Sequence, residues 1–369
     1  MHLGLYIHIP FCHSRCPYCD FAFVVGKNHM AKRYTDAVIV EMQTRMQSFG
    51  TVPVFDTLYF GGGTPSAIPP GQLDRILTSA KSAVAPDAEI AAEANPNDCE
   101  HFEKLYEYGV NRLSLGVQAF TDRALKALGR FHTASDAIEA FQTARDVGFK
   151  NISIDLMYGA PEQTLEEWAT SIQRAIDLGP EHISVYGLTI EPQTNFARRF
   201  QKGKLDVPPE TDQAEMYMYA IDHLEAAGYI HYEISNFAQP RFASRHNLNY
   251  WHDRPYLGVG LSAHSYLDNR RSWNVRDLIT YMQHIEATGF AVEREEQLTP
   301  TQHLLERIML GLRQRRGLRA DFLRHPKIHK QYIAMVNQHL LEQIDNRIRL
   351  TRRGLLLADL VCTELVREL

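Results

Sequence analysis

Cysteine is scarce in this chain, five in 369 residues. A low, odd count argues against a disulfide framework and for a reducing compartment, the cytosol. Long apolar runs are missing, and no stretch approaches the length needed to span a bilayer. The opening Met1-His-Leu-Gly-Leu-Tyr-Ile7 lacks the basic segment and apolar run of a signal peptide and reads as a first strand. Positive charge is not in excess: a net charge of −5 offers no electrostatic reason to expect nucleic-acid binding. The remaining composition is that of a soluble globular protein, long enough for one large domain or two to three ordinary ones.

The few cysteines are not spread evenly. Cys12, Cys16 and Cys19 fall in the run Tyr6-Ile-His-Ile-Pro-Phe-Cys-His-Ser-Arg-Cys-Pro-Tyr-Cys-Asp20, at the spacing C-x3-C-x2-C. Thiolates clustered on one short loop suit a soft metal or an iron–sulfur cluster. A four-thiolate site would need one more cysteine nearby, but Asp20 and Phe21 come next. Three ligands with one open position are expected of a site that binds something. A Cys3His zinc site using His8 or His13 is the other reading open to these residues. Cys99 and Cys362 are expected to be ordinary small side chains.

Along the chain, strands alternate with helices. The expected strands are Leu3–Ile9, Thr57–Phe60, Glu89–Ala92, Asn111–Leu115, Asn151–Leu156 and His182–Tyr186. Helices are expected at Ala31–Ser48, with Tyr34, Val38 and Met42 on its apolar face, and at Pro69–Val84. Others are expected from an Asp98 N-cap to Tyr108, at Asp122–Leu128 and Ser135–Val147, and from the capping box Thr164-Leu-Glu-Glu167 to Leu178. Six strand–helix units in a row imply a parallel α/β sheet, a (β/α)6 barrel or part of one. Each strand is followed by polar or glycine-rich residues: the cysteines, Gly61-Gly-Gly-Thr-Pro65, Glu93-Ala-Asn-Pro96, Gly116-Val-Gln118, Asp155 and Tyr186-Gly-Leu-Thr-Ile-Glu-Pro192. Barrel enzymes build their sites at these carboxyl ends. Turn chemistry accounts for Gly63 or Pro96 singly but poorly for Glu93, Gln118 and Asp155 at equivalent positions.

The expected divisions are 1–228 for the barrel, 229–297 for an extension and 298–369 for a C-terminal, mostly helical, winged-helix-like domain. Tyr229–Ile234 reads as a strand, and Gly258-Val-Gly-Leu-Ser-Ala-His-Ser265 as a glycine-rich turn returning to the barrel mouth. Further on, Thr301–Leu312, Arg319–Leu323 and Gln331–Gln343 read as helical segments and Arg347–Thr351 as a strand, with a last helix after it. The basic run Arg313-Gln-Arg-Arg316 reads as a solvated helix end rather than a phosphate or lipid contact.

The cysteine loop, the Gly61–Thr64 turn and the strand pattern together resemble the radical S-adenosylmethionine (radical SAM) superfamily. The resemblance implies that Cys12, Cys16 and Cys19 hold a 4Fe–4S cluster whose fourth iron is chelated by S-adenosylmethionine. It further implies that Gly62, Gly63, Thr64, Glu93, Gln118, Arg130 and Asp155 contact that cofactor, and that Tyr6 and Tyr18 flank the cluster and the adenine. Their chemistry suits an ammonium, a carboxylate, a ribose and a sulfonium.

The wording Tyr6-Ile-His-Ile-Pro-Phe-Cys12, Phe60-Gly-Gly-Gly-Thr-Pro-Ser66, Glu93-Ala-Asn-Pro96, Gly116-Val-Gln-Ala-Phe120, Leu128-Gly-Arg-Phe-His132 and His246-Asn-Leu-Asn-Tyr-Trp251 resembles one branch of the superfamily. It contains the oxygen-independent coproporphyrinogen III oxidases and the HemW-type haem chaperones, and the likeness spans about residues 3–275. The oxidases carry a further cysteine where this chain has Phe21, and a long segment before the first strand. Both departures point to the chaperones, as does His246-Asn-Leu-Asn-Tyr-Trp251. The resemblance makes His246 a haem ligand, with Tyr250 and Trp251 against the porphyrin.

The expected protein is therefore a cytoplasmic haem chaperone binding a 4Fe–4S cluster, S-adenosylmethionine and haem. It would pass haem to respiratory proteins, with no nucleic acid bound, no transmembrane segment and no catalytic residue assigned. Peripheral membrane contact and a homodimer stay open, as does turnover of a substrate. Oxidative decarboxylation of coproporphyrinogen III and a zinc hydrolase on a barrel are the alternatives.

Overall fold

A computed structural model describes residues 3–368. Its main body is one twelve-stranded sheet interleaved with helices. In chain order the strands are β1 Leu3–Ile9, β2 Phe55–Gly62, β3 Val84–Ala94, β4 Arg112–Gln118, β5 Ile152–Tyr158 and β6 His182–Gly187. Then come β7 Ile230–Glu233, β8 Asn236–Ala238, β9 Tyr256–Val259, β10 His264–Leu267, β11 Arg270–Asn274 and β12 Val292–Gln297. They lie in the order β12-β11-β10-β9-β1-β2-β3-β4-β5-β6-β8-β7. Strands β1 to β6 are parallel and sequential, the layout expected of a partial (β/α)6 barrel.

Alternation along the strands separates core from site. On β1, Leu3, Leu5, Ile7 and Ile9 are fully buried against the helices. Gly4, Tyr6 and His8 project from the other face, and pairing extends each into a row. Gly4 lies beside Thr57, which lies beside Glu89; Tyr6 lies beside Tyr59, and Tyr59 beside Ala91. Ala91 pairs with Arg112, and two residues further on Glu93 pairs with Ser114, Ser114 with Ser153, and Ser153 with His182.

Several elements differ from expectation. The Gly258 stretch holds the expected turn only at Gly260–Ala263; Gly258 itself lies in strand β9, Tyr256–Val259, paired in parallel with β1. A Cβ on Gly258 would lie 1.9 Å from the His264 carbonyl oxygen, so only glycine lets β10 cross there. Gly258→Ala is expected to cost about 3 kcal/mol or more by overpacking, read as a lower urea midpoint. The helix over 331–343 is displaced to Pro326–Asn337, because Leu341–Ile344 pairs with Arg347–Leu350 in a hairpin. Asp98 caps nothing; Asn95 does, accepting from the Asn97 N–H. The capping box at Thr164 forms as expected.

The C-terminal part has its own three-stranded antiparallel sheet of Leu318–Arg319, Leu341–Ile344 and Arg347–Leu350, packed with helices Pro300–Arg313, Pro326–Asn337 and Ala358–Val366. Cys362 is buried in that core. Of the basic run 313–316, Arg316 is exposed as expected, whereas Arg313 and Arg315 are engaged within the fold. Arg313 lies over the Trp251 ring at 5.0 Å, and Arg315 donates to the Leu350 carbonyl. Among the described residues no helix is long and apolar enough to cross a membrane.

Candidate functional site

The loop after β1 is held from every side. Val24 N–H donates to the Pro10 carbonyl at 2.7 Å, and Gly63 and Thr64 donate to the carbonyls of Ile9 and Phe11. His8 Nε2 lies 2.7 Å from the Ala22 carbonyl, and His13 Nε2 lies 2.7 Å from Asp98, which also accepts from Ser66. A Cβ on Gly62 would sit 2.5 Å from the His8 ring, and one on Gly63 would sit 2.7 Å from Pro10, so the glycines let the β2 turn press against this loop.

All three thiols are free and line one cavity of about 470 Å³ at the carboxyl ends of the strands. Tyr18, Gly62, Gly63, Thr64, Glu93, Gln118, Arg130 and Asp155 line the same cavity. Cys12 Sγ is 3.6 Å from Thr64 Oγ1, and the Arg130 guanidinium donates to Cys16 Sγ at 3.4 Å and to the Gly116 carbonyl at 2.9 Å. Burial pushes the Cys12 and Cys19 thiols up to about 11. Metal binding would therefore displace protons.

Behind the thiols the cavity is polar. Glu93 accepts from Tyr59 OH at 3.0 Å and from the Gly62 N–H at 3.1 Å. Burial, and next the charge of Asp155, push it up to about 7. Asp155 accepts from Ser114 and Ser153, and burial raises its pKa. Gln118 has φ of 70° at a break in the register of β4 with β5, which aims its side chain into the cavity.

The rows also bring Tyr59, Arg112, Ser114, Ser153, His182 and Ser184 to this cavity. None was singled out in the sequence. Their signal was position: they lie on the inward face of strands whose ends were already implicated.

Two of the expected site residues lie outside this cavity. Tyr6 does not line the cavity: its ring stacks on Tyr59 at 6.3 Å, and its hydroxyl is 3.1 Å from His8 Nδ1. His246 is 1% exposed and lies beside Gly4 and Thr57, towards the amino-terminal ends of β1 and β2, while its neighbours Ser244 and Asn247 line the cavity. Its Nδ1 is 2.8 Å from Thr57 Oγ1 and its Nε2 is 2.8 Å from Tyr250 OH, so both ring nitrogens are occupied. For an iron to bind through either nitrogen, one of these hydrogen bonds would first have to open. Tyr250 packs edge-on to Tyr256, and Arg313 covers Trp251, which leaves those faces engaged within the fold.

Nothing in the geometry supports the zinc reading. His8 and His13 are committed to Ala22 and Asp98, and among the described residues no three His, Cys, Asp or Glu side chains are grouped to hold one ion. Thiolates that ligate different irons of a cluster stand further apart than ligands sharing one ion. The observations that fit a cluster and its chelating cofactor are three free thiols on one loop and the buried Arg130 Nε, which has no partner.

The radical SAM superfamily profile matches residues 6–175, and the HemN C-terminal domain profile matches 298–357. The chain is 41% identical to the heme chaperone HemW of Bacillus subtilis, over 85% of this chain and 84% of that protein. The chain belongs to the HemW family of radical SAM proteins. HemW of Mycobacterium tuberculosis (strain H37Rv) is 34% identical over 98% of this chain and 94% of its own length. Among solved structures, coproporphyrinogen III oxidase (HemN) from Escherichia coli, a radical SAM enzyme, superposes with a TM-score of 0.86 at 26% identity, covering 100% of this chain and 90% of that one. The chain has the α/β architecture of that oxidase.

Proposed function

We propose that this protein is a cytoplasmic haem chaperone that carries a 4Fe–4S cluster, binds S-adenosylmethionine and haem, and delivers haem to respiratory acceptor proteins. The observation that carries the cofactor reading is the placement of Cys12, Cys16 and Cys19 on one cavity with Glu93, Gln118, Arg130 and Asp155 behind them. When bound, the cluster supplies one-electron chemistry to the sulfonium. The chain's own residues would hold the cofactor around that centre. Glu93 and the Gly62–Thr64 backbone would take its ammonium, and Arg130 its carboxylate, through the Nε that is otherwise unpaired. Gln118 and Asp155 would take the ribose end. The haem reading rests on the relatives' names; of the haem motif, His246 and Tyr250 are hydrogen-bonded within the fold and Asn247 lines the cavity.

Anaerobic reconstitution tests the cofactor reading. Wild type is expected to hold about four irons and four sulfides per chain, and Cys16→Ala to lose most of them. One zinc per chain without sulfide would refute it. The oxidase is the second reading, favoured by the likeness to HemN over the whole chain. Coproporphyrinogen III supplied with S-adenosylmethionine and a reductant is expected to remain unconverted; formation of protoporphyrinogen would select the oxidase.

A further inference from the structure

An unbroken chain of hydrogen bonds joins Asp155, on β5, to the helix Arg245–Trp251. Ser153 Oγ donates to Asp155 Oδ1 at 3.2 Å and lies 2.8 Å from His182 Nδ1. His182 Nε2 lies 2.8 Å from the Tyr232 hydroxyl, and that oxygen accepts from the Ser244 N–H at 3.3 Å. Burial, and next the charge of Arg112, lower the His182 pKa well below its ordinary value, so the ring carries a single proton. Ser153 has one proton and gives it to Asp155, so the imidazole proton sits on Nδ1 and donates to Ser153. The bare Nε2 then accepts from Tyr232. Both nitrogens of His182 are thus taken, and it can act only through its two neighbours. At the far end Ser244 caps the helix, accepting from the Asn247 N–H at 3.3 Å, and both residues line the cavity.

We propose that His182 is a positioning residue joining the two halves of the site: it sets Asp155 through Ser153, and the first turn of the helix Arg245–Trp251 through Tyr232. The proposal rests on the reading above, with Asp155 at the ribose end of S-adenosylmethionine and that helix at haem. Asp155 can meet ribose hydroxyls only with the lone pairs its own partners leave open. Ser114 holds Oδ2 at 2.8 Å and Ser153 holds Oδ1, so His182 orients the hydroxyl that orients one oxygen. The helix has other anchors. Arg112 donates to the Phe242 carbonyl at 3.0 Å, and Glu89 accepts from the His246 N–H at 3.0 Å. Loss of the His182 link therefore leaves the helix in place and loosens only its first turn. Because the two arms use different nitrogens, each can be cut separately.

The test uses the full, reconstituted chain, with retained iron content and an unchanged melting profile as checks of folding. S-adenosylmethionine and its counterpart lacking both ribose hydroxyls are titrated by equilibrium dialysis, and haem by absorbance. An asparagine amide reaches the place of Nδ1, and a glutamine amide that of Nε2. His182→Gln should therefore weaken S-adenosylmethionine binding roughly 3- to 10-fold, the worth of one hydrogen bond, and leave haem binding unchanged. His182→Asn should do the reverse. The dideoxy counterpart, which has no hydroxyl for Asp155, should bind both variants as it binds wild type. Equal losses of both ligands in both variants, no loss in either, or a matching loss of the dideoxy counterpart would overturn the proposal and leave the reading above intact. If neither variant folds, Tyr232→Phe removes one hydroxyl and should weaken haem alone; unchanged haem affinity there overturns the proposal instead. Failure of wild type to bind either ligand would remove the reading itself, and this link with it.

Discussion

Glu41→Ala is expected to destabilise the protein by about 3–5 kcal/mol, the usual result of removing one side of a buried charged network. Glu41 lies on the helix Ala31–Gln47 and is fully buried. Its carboxylate accepts from Tyr281 OH at 2.6 Å, from the Gly260 N–H at 2.8 Å and from Asn274 Nδ2 at 2.6 Å, with Arg45 at 4.0 Å. Alanine would leave the Tyr281 hydroxyl and the Gly260 N–H without their acceptor, and Asn274 Nδ2 with the Gly260 carbonyl alone, each lost bond retaining its desolvation cost. Glu41→Gln keeps the shape and one acceptor oxygen, so a smaller loss is expected. Urea unfolding of the three proteins checks this, and a loss below about 1 kcal/mol in the alanine variant would contradict it. The network also bears on the site. Tyr34, on the same helix, donates to the His8 carbonyl at 2.7 Å and accepts from the Leu261 N–H at 2.8 Å. His8 in turn holds the cysteine loop through Ala22. Glu41→Ala should therefore also retain less cluster iron under a chelator challenge.

Acidification is expected to be the second large perturbation. Burial pushes His8, His132 and His231 down to about 4 and His246 down to about 3. His182 is lowered further from its ordinary value by burial and by Arg112. A histidine with a depressed folded pKa stays neutral in the native state while the unfolded chain takes a proton. Its contribution is complete above about pH 6.5 and is lost as the pH falls from there to about 4. At pH 5 each histidine depressed to about 4 costs about 2 kcal/mol.

Glu93 acts in the opposite direction. Its folded value near 7 lies above the unfolded one, so stability is gained as pH falls from 7 towards the ordinary carboxyl range. Burial raises Glu41, Asp155 and Glu233 as well, which adds to the offset. Melting temperatures measured from pH 7.5 to 5 should fall, more steeply in Glu93→Gln and less steeply in His231→Phe. Equal slopes in all three proteins would show that these groups do not titrate differently on folding.

Glu41 shows where legibility in the sequence ended. It stands seven residues after Tyr34, on the same helical face as Tyr34, Val38 and Met42, yet it is polar and was passed over. Its partners Gly260, Asn274 and Tyr281 are more than 200 residues away, and no local pattern announces them. His246 is the converse case. Its motif is local and easy to read, but the meaning of an imidazole depends on what occupies its two nitrogens. Here Thr57 and Tyr250 do so, one from a strand 189 residues earlier. The same holds for β9: Gly258 and Val259, at the start of a stretch that reads as one glycine-rich turn, become strand because a parallel neighbour, β1, is present to pair with them.

The sequence by itself determined the alternation of strands and helices, because apolar periodicity and caps are local properties. It also determined the three-thiolate loop, because the ligands lie within eight residues. The residue types at the strand ends followed from both. Tertiary structure alone decided which of these groups share a cavity, because strand register and the inward or outward sense of each side chain arise only when the strands pair. It placed Asp98 under the cysteine loop instead of at a helix start, and sealed Tyr6 and His246 behind Tyr59. It also turned Phe21 outward. Read along the chain, Phe21 was a missing cysteine; in the fold it is an exposed aromatic face at the mouth of the site.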